Sequence, residues 1–288
     1  MIKKTILVFV ILFATYNCIV IFNPGISAPQ QQWQDNVVKA EKYIYDKSDT
    51  VSNVILGSSL ARLMVMDSLP HYYNLAFAGQ GILDGLEILN QTEKLPKNIF
   101  IETNTVFTEA NKSFTDGLFD PLTFSIKKYC ISLRSDKQPL AFIYPSLQAA
   151  MHKGKNTEES KAPATDQTDD NDLFNKMIKM QIEYYTWTPD SNIVNKQFLA
   201  LTNYIRILKN RGANIVFFEL PFNSKLVELP LARLIRNKFY EHFPAAQNNY
   251  ITMPDCSNYV TSDGFHLKDD EAKVYTSYFK KESKKYYP

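Results

Sequence analysis

Short apolar runs alternate along this chain with longer amphipathic ones, and that alternation constrains the fold more than any other feature. Val51–Leu56 (VSNVIL) stops at Gly57, Tyr72–Phe77 (YYNLAF) at Ala78-Gly79, and Asn98–Thr103 (NIFIET) at Asn104. Ala213–Leu220 (ANIVFFEL) and Tyr250–Met253 continue the series. Between them lie helical patterns: one through Leu83, Leu86, Ile88 and Leu89, then Gln197–Asn210 stopped by Gly212, then Lys225–Phe243. A final helix starts near Lys268, with Asp269, Asp270 and Glu271 in the first turn, where acids suit the helix dipole. Strand–helix–strand repetition predicts an α/β fold, a parallel sheet covered by helices on both faces. In such sheets the working residues sit on loops at the carboxyl ends of strands.

Composition narrows the function. Thirty-two basic and 30 acidic residues in 288 leave a formal charge of +2, which excludes a dedicated nucleic-acid binder. Three cysteines exclude a disulfide-built scaffold, and Cys130 and Cys256 are equally able to pair or to remain buried thiols. The four histidines are scattered without metal-ligand spacing, so no metal is expected. Gly79-Gln80-Gly81 with Gly85 misplaces the third glycine of a dinucleotide loop, so no cofactor is expected either.

The amino-terminal end points to a membrane. Thr5–Phe22 is an uncharged apolar run of 18 residues behind Lys3 and Lys4. It is long enough to cross about 30 Å of hydrocarbon. Basic residues stay in the cytoplasm, which puts the body in the periplasm or outside the cell. A signal peptide cleaved after Ile26-Ser27-Ala28 is the rival, disfavoured by Pro29 and by the length of the run. Residues 1–28 thus read as a cytoplasmic stub and transmembrane signal-anchor, and 29–288 as the working domain. A helix, either a stalk or the first helix of that domain, is expected from Pro29 to about Asp46, through Trp33, Val37, Ala40, Tyr43 and Ile44. Residues 106–192 form a long insertion. Its aromatics Phe119, Phe124, Tyr129, Phe142 and Tyr144 predict a helical cap, and 153–172, empty of large apolar residues, a disordered loop. The lysines at 280, 281, 284 and 285 read as the solvated end of the last helix.

Chemistry concentrates at the strand ends. Ser59, in Gly57-Ser58-Ser59-Leu60, follows the first strand at the start of a helix, where a nucleophile has amide donors beside it. Serine is also an ordinary helix cap. Asp263 stands three residues before His266, placed to accept the ring N–H and leave the other nitrogen as a base. Asp263-Gly264 is equally a plain turn. Gly79 and Asn104, after the second and third strands, are suitable oxyanion donors. Four such residues, each at a strand end of one sheet, favour the catalytic reading.

Taken in order, Ser59, Gly79, Asn104 and Asp263-x-x-His266 resemble the conserved blocks of the SGNH, or GDSL-type, hydrolases, over about Val51 to Tyr278. The resemblance implies a three-layer α/β/α sandwich with a mostly five-stranded parallel sheet. It implies Ser59 as nucleophile, His266 as base, Asp263 as its orienter, and the Ser59 N–H, Gly79 and Asn104 as oxyanion hole. Three positions in two blocks depart from the pattern. Block one commonly reads Gly-Asp-Ser, and Ser58 replaces the aspartate; block three commonly reads Gly-x-Asn-Asp, and here it is Glu102-Thr103-Asn104-Thr105. The anchor, the Gly-Ser-Ser block and the insertion resemble a membrane-tethered branch that includes DltD and alginate O-acetylation proteins. That resemblance implies an esterase or O-acyltransferase acting on an envelope polysaccharide, often beside a membrane-bound acyltransferase. A non-catalytic binding or scaffold subunit of the same fold is the alternative.

Overall fold

The computed structural model describes residues 2–22, 32–138 and 167–287. It divides into two compact units, one from the described residues of Met1–Tyr45 and Asp116–Pro163, the other from Asp46–Thr115 and Ala164–Pro288.

The larger unit holds five strands: β1 (Asn53–Leu56), β2 (Tyr72–Asn74), β3 (Asn98–Glu102), β4 (Asn214–Phe218) and β5 (Asn249–Ile251). All neighbours are parallel, in the order β2-β1-β3-β4-β5. The strands read as nearly continuous apolar runs because both faces are covered. On one face Ile55, Phe100 and Phe218 pack with α3 (Ser59–Arg62) and α10 (Asp269–Ser283), where Tyr275 and Phe279 are fully buried. The opposite face carries α4 (Ile82–Gln91), α8 (Ser191–Asn210) and α9 (Pro230–His242), with Phe217 packed edge-on or tilted against Phe239, Phe243 and Tyr250. The expected α/β/α sandwich with a five-stranded parallel sheet is therefore what forms.

Each of β1, β3, β4 and β5 begins with asparagine, and the four side chains join across the sheet. Asn98 donates to Asn53 Oδ1 at 2.8 Å, Asn214 to Asn98 Oδ1 at 3.0 Å, and Asn249 to Asn214 Oδ1 at 2.9 Å. Buried amides are satisfied this way, and the chain of bonds pins the register at the amino-terminal edge. The second strand is shorter than its apolar run. Beyond Asn74 the chain still follows β1, with Leu75 N–H donating to Ile55 O and Phe77 N–H to Gly57 O. Tyr287, half-buried, packs edge-on against Tyr72 and Phe100 at the margin of the core.

Helix α5 (Lys112–Phe119) runs across the boundary between the units in sequence, and the smaller unit contains α1 (Ile2–Phe22), α2 (Gln32–Lys42) and α6 (Pro121–Tyr129). Among the described residues α1 alone is long and apolar enough to cross a membrane, a property that anchors and signal sequences share. Glu41 of α2 is buried and accepts from Lys127 Nζ and from Ser135 N and Oγ, at 2.7 to 2.9 Å. Of the first-helix residues, Ala40, Tyr43 and Ile44 are buried, whereas Trp33 stays exposed. Of the aromatic cap, Phe119 stacks on Phe124 and Tyr129 faces solvent; Phe142 and Tyr144 lie outside the described residues. Residues 153–166 of the expected disordered loop also lie outside them, and from Gln167 the chain is helical in α7 (Gln167–Thr186). All three cysteines are free thiols.

Candidate active site

The site is built where β1 and β3 lie side by side. Strand order reverses there, because β2 and β3 flank β1 on opposite sides, and open α/β sheets place ligands at that switch point. Strand β1 runs through Gly57 into the turn that starts α3. Ser58 is the cap, its Oγ accepting from Leu60 N–H. Ser58, Leu60, Ala61 and Arg62 N–H groups all have acceptors, which leaves the Ser59 N–H as the uncommitted amide of this turn among the described residues.

Ser59 Oγ lies 2.7 Å from His266 Nε2, and His266 Nδ1 lies 2.7 Å from Asp263 Oδ2. The other oxygen of Asp263 accepts from the amides of Phe265 at 2.9 Å and His266 at 2.7 Å. Burial opposes ionisation of Asp263, but the His266 ring and the two amides outweigh it and hold the carboxyl down at about 2. An ionised Asp263 can only accept, so Nδ1 carries the proton and Nε2 is left to accept from the Ser59 hydroxyl. The three groups form the serine–base–orienter arrangement of nucleophilic catalysis.

The loop holding Asp263 and His266 is braced from several sides. A β-bridge joins Thr261 to Leu267, and Ser262 N–H donates to His266 O at 2.8 Å. Gly264 has φ +88°, a region closed to most side chains, and Ile178 of α7 packs where a Cβ would stand. Tyr185 of the same helix meets Phe265 at 5.9 Å and Phe222 at 5.6 Å. The returning helix of the insertion therefore floors this loop, a role that no local pattern announced.

Gly79 sits in an exposed turn with φ +69°, on the loop after β2. Asn104 is buried and clamps the ends of β3 and β4. Its amide donates to Leu220 O and its oxygen accepts from Leu220 N–H, both at 2.8 Å, which leaves its second amide hydrogen without a partner among the described residues. The two loops also hold buried polar atoms with no partner among the described residues, in the side chains of Gln80 and Thr105. Glu102 is the residue missed by sequence reasoning. It is fully buried at the end of β3, its carboxylate accepting from Ser58 N–H at 2.7 Å and from Ser58 Oγ at 2.9 and 3.0 Å. A cleft of about 580 Å³ opens beside Ser59 and His266, with Arg62 and Lys268 on its walls. No group of metal-ligating side chains occurs among the described residues.

No protein-family model matches this chain, and no curated protein does. Among solved structures, a protein from Streptococcus pneumonia, provisionally described as a platelet activating factor, is similar over 87% of this chain and 92% of its own. The identity is 13% and the TM-score 0.43.

Proposed function

We propose that the protein is a membrane-anchored serine esterase or O-acyltransferase of the SGNH type, working outside the cytoplasm. Its substrates are acyl esters, acetyl above all, of a cell-envelope polysaccharide. The observation that carries this reading is the Ser59–His266–Asp263 chain of hydrogen bonds at the carboxyl edge of the sheet. Ser59 Oγ attacks the ester carbonyl carbon as its proton passes to His266 Nε2. The oxyanion is received by the Ser59 N–H, with Gly79 and the second Asn104 amide hydrogen as the remaining donors. The carbon–oxygen bond to the alcohol breaks as His266 returns the proton to the departing oxygen. Water or a sugar hydroxyl, deprotonated by His266, then takes the acyl group from Ser59. The open cleft suits a bulky polymer. The apolar helix α1 supports the anchor, and a membrane-bound acyltransferase would be the natural acyl donor or partner.

The test is fluorophosphonate labelling of the full chain in detergent, read by intact mass. Wild type should gain one adduct, Ser59→Ala none, and Ser58→Ala one that forms more slowly. A folded wild type that stays unlabelled, or a labelled Ser59→Ala, would sink the reading. A second reading, a non-catalytic scaffold subunit, is favoured by one observation: Leu173, Met180 and Tyr184 of α7, with Trp187 beyond it, are exposed at helical spacing. Unlabelled protein that captures a membrane acyltransferase from the same envelope would support it.

A further inference from the structure

Two of the three departures from the SGNH pattern, Ser58 and Glu102, are in contact. Leu56 of β1 pairs with Ile101 of β3, so the residue after Ile101 lies beside the turn that follows Leu56. Glu102 uses that place to hold the turn from beneath. Its carboxylate accepts from Ser58 N–H, from the Ser58 hydroxyl and, at 3.3 Å, from Ala61 N–H, so the backbone on both sides of Ser59 hangs from one side chain. The fit is close: a Cβ at position 57 would stand 2.5 Å from Glu102 Oε2 and 2.6 Å from the Ala61 Cβ. Among the described residues, no lysine or arginine is paired with this carboxylate.

We infer that Glu102 is a positioning residue for Ser59, and that it supplies from β3 the carboxylate which the SGNH pattern carries at position 58. The exchange keeps one carboxylate at the turn while moving its point of attachment to the neighbouring strand. This inference rests on the proposed esterase or acyltransferase function.

Proton accounting gives the arrangement a signature. Ionised, Glu102 only accepts, which satisfies two amides and the Ser58 hydroxyl together. Once protonated it needs an acceptor itself; the nearest is Ser58 Oγ, whose own hydrogen then loses its place. Burial pushes the Glu102 carboxyl up to about 7, against the lowering effect of the Ser58 and Ala61 bonds and of His266. The other titratable groups that face it are Tyr185 from α7 and Tyr275 from α10, both held neutral by burial. Below about 7, therefore, the turn loses one of its bonds.

Glu102→Gln mimics the protonated state, with the amide donating to Ser58 Oγ, and keeps the Ser59–His266–Asp263 hydrogen bonds in place. The experiment compares fluorophosphonate labelling rates of full-chain wild type and Glu102→Gln in detergent from pH 5.5 to 8.5. Their ratio should be near one at pH 5.5 and rise through about 7 to about tenfold or more, the scale of a misplaced catalytic group. Glu102→Gln should also melt at or above the wild-type temperature at pH 8.5, since it removes a buried charge. A raised carboxyl pKa costs stability as pH rises from the unfolded value to the folded one, so that gap should close at pH 5. The exchange itself is read in Ser58→Asp/Glu102→Gly, which should label about tenfold faster than Glu102→Gly alone. A ratio independent of pH overturns the positioning role, and a double variant no faster than Glu102→Gly overturns the exchange. Loss of labelling at Ser59 altogether would instead mark failure of the esterase reading, and this inference would fall with it.

Discussion

Asp263 accepts three hydrogen bonds, two from amides of its own loop and one from the His266 ring. A carboxylate with that many donors stays ionised to low pH, hence the shift to about 2. Because the folded value is depressed, the stability it contributes is present above the unfolded value near 3.8 and is lost as pH falls through about 2. The amount is about 2 kcal/mol. Asp263→Asn should reduce fluorophosphonate labelling by about three to four orders of magnitude, because a carboxamide facing Nδ1 favours the tautomer with the proton on Nε2. It should also lower the urea stability at pH 7 by about 2 kcal/mol, with a smaller difference at pH 3. An unchanged labelling rate would remove Asp263 from the proposed mechanism. Glu102 moves the opposite way because its burial is complete and outweighs the bonds it accepts, whereas Asp263 is only partly buried and its three hydrogen bonds win. The contact of Asp263 with His266 was legible in sequence, since three residues of separation place the two side by side. Glu102 was not, because a glutamate at the end of an apolar run says nothing of the strand that will lie next to it.

At the scale of elements, α7 ties the insertion to the chemistry. Ile178 is buried against Gly264, and Tyr185 against Phe265, the residue before His266. Ile178→Ala should cost about 2–4 kcal/mol through the cavity it leaves. The loop above it should loosen as well, so labelling below the melting temperature should fall. A lowered Tm with labelling untouched would show that α7 holds the fold without holding the loop. The strands show the same division between local and distant information. All five could be picked out from apolar runs and their stops, but the runs overstated β2, whose last residues follow β1 without being counted in the strand. The asparagines that open β1, β3, β4 and β5 are visible in sequence; only the parallel register sets them abreast.

For the whole molecule, α1 decides where any activity would be exercised. The full chain should remain in carbonate-washed membranes with an intact mass that includes residues 1–28, because Pro29 disfavours cleavage there. A soluble product beginning at residue 29 would replace the anchor with a cleaved signal. The sequence by itself determined the layered α/β architecture, because apolar period and glycine stops are local properties that select strand or helix before any contact forms. It also singled out Ser59 by its place after the first strand, and Asp263 and His266 by their spacing in the loop before the last helix. Only the tertiary structure brought Ser59 to 2.7 Å from His266 across 207 residues, seated Glu102 beneath the serine turn and left the three cysteines unpaired. Those distances follow from the order in which the strands assemble. That order is decided by the burial of two faces at once, which no single segment encodes.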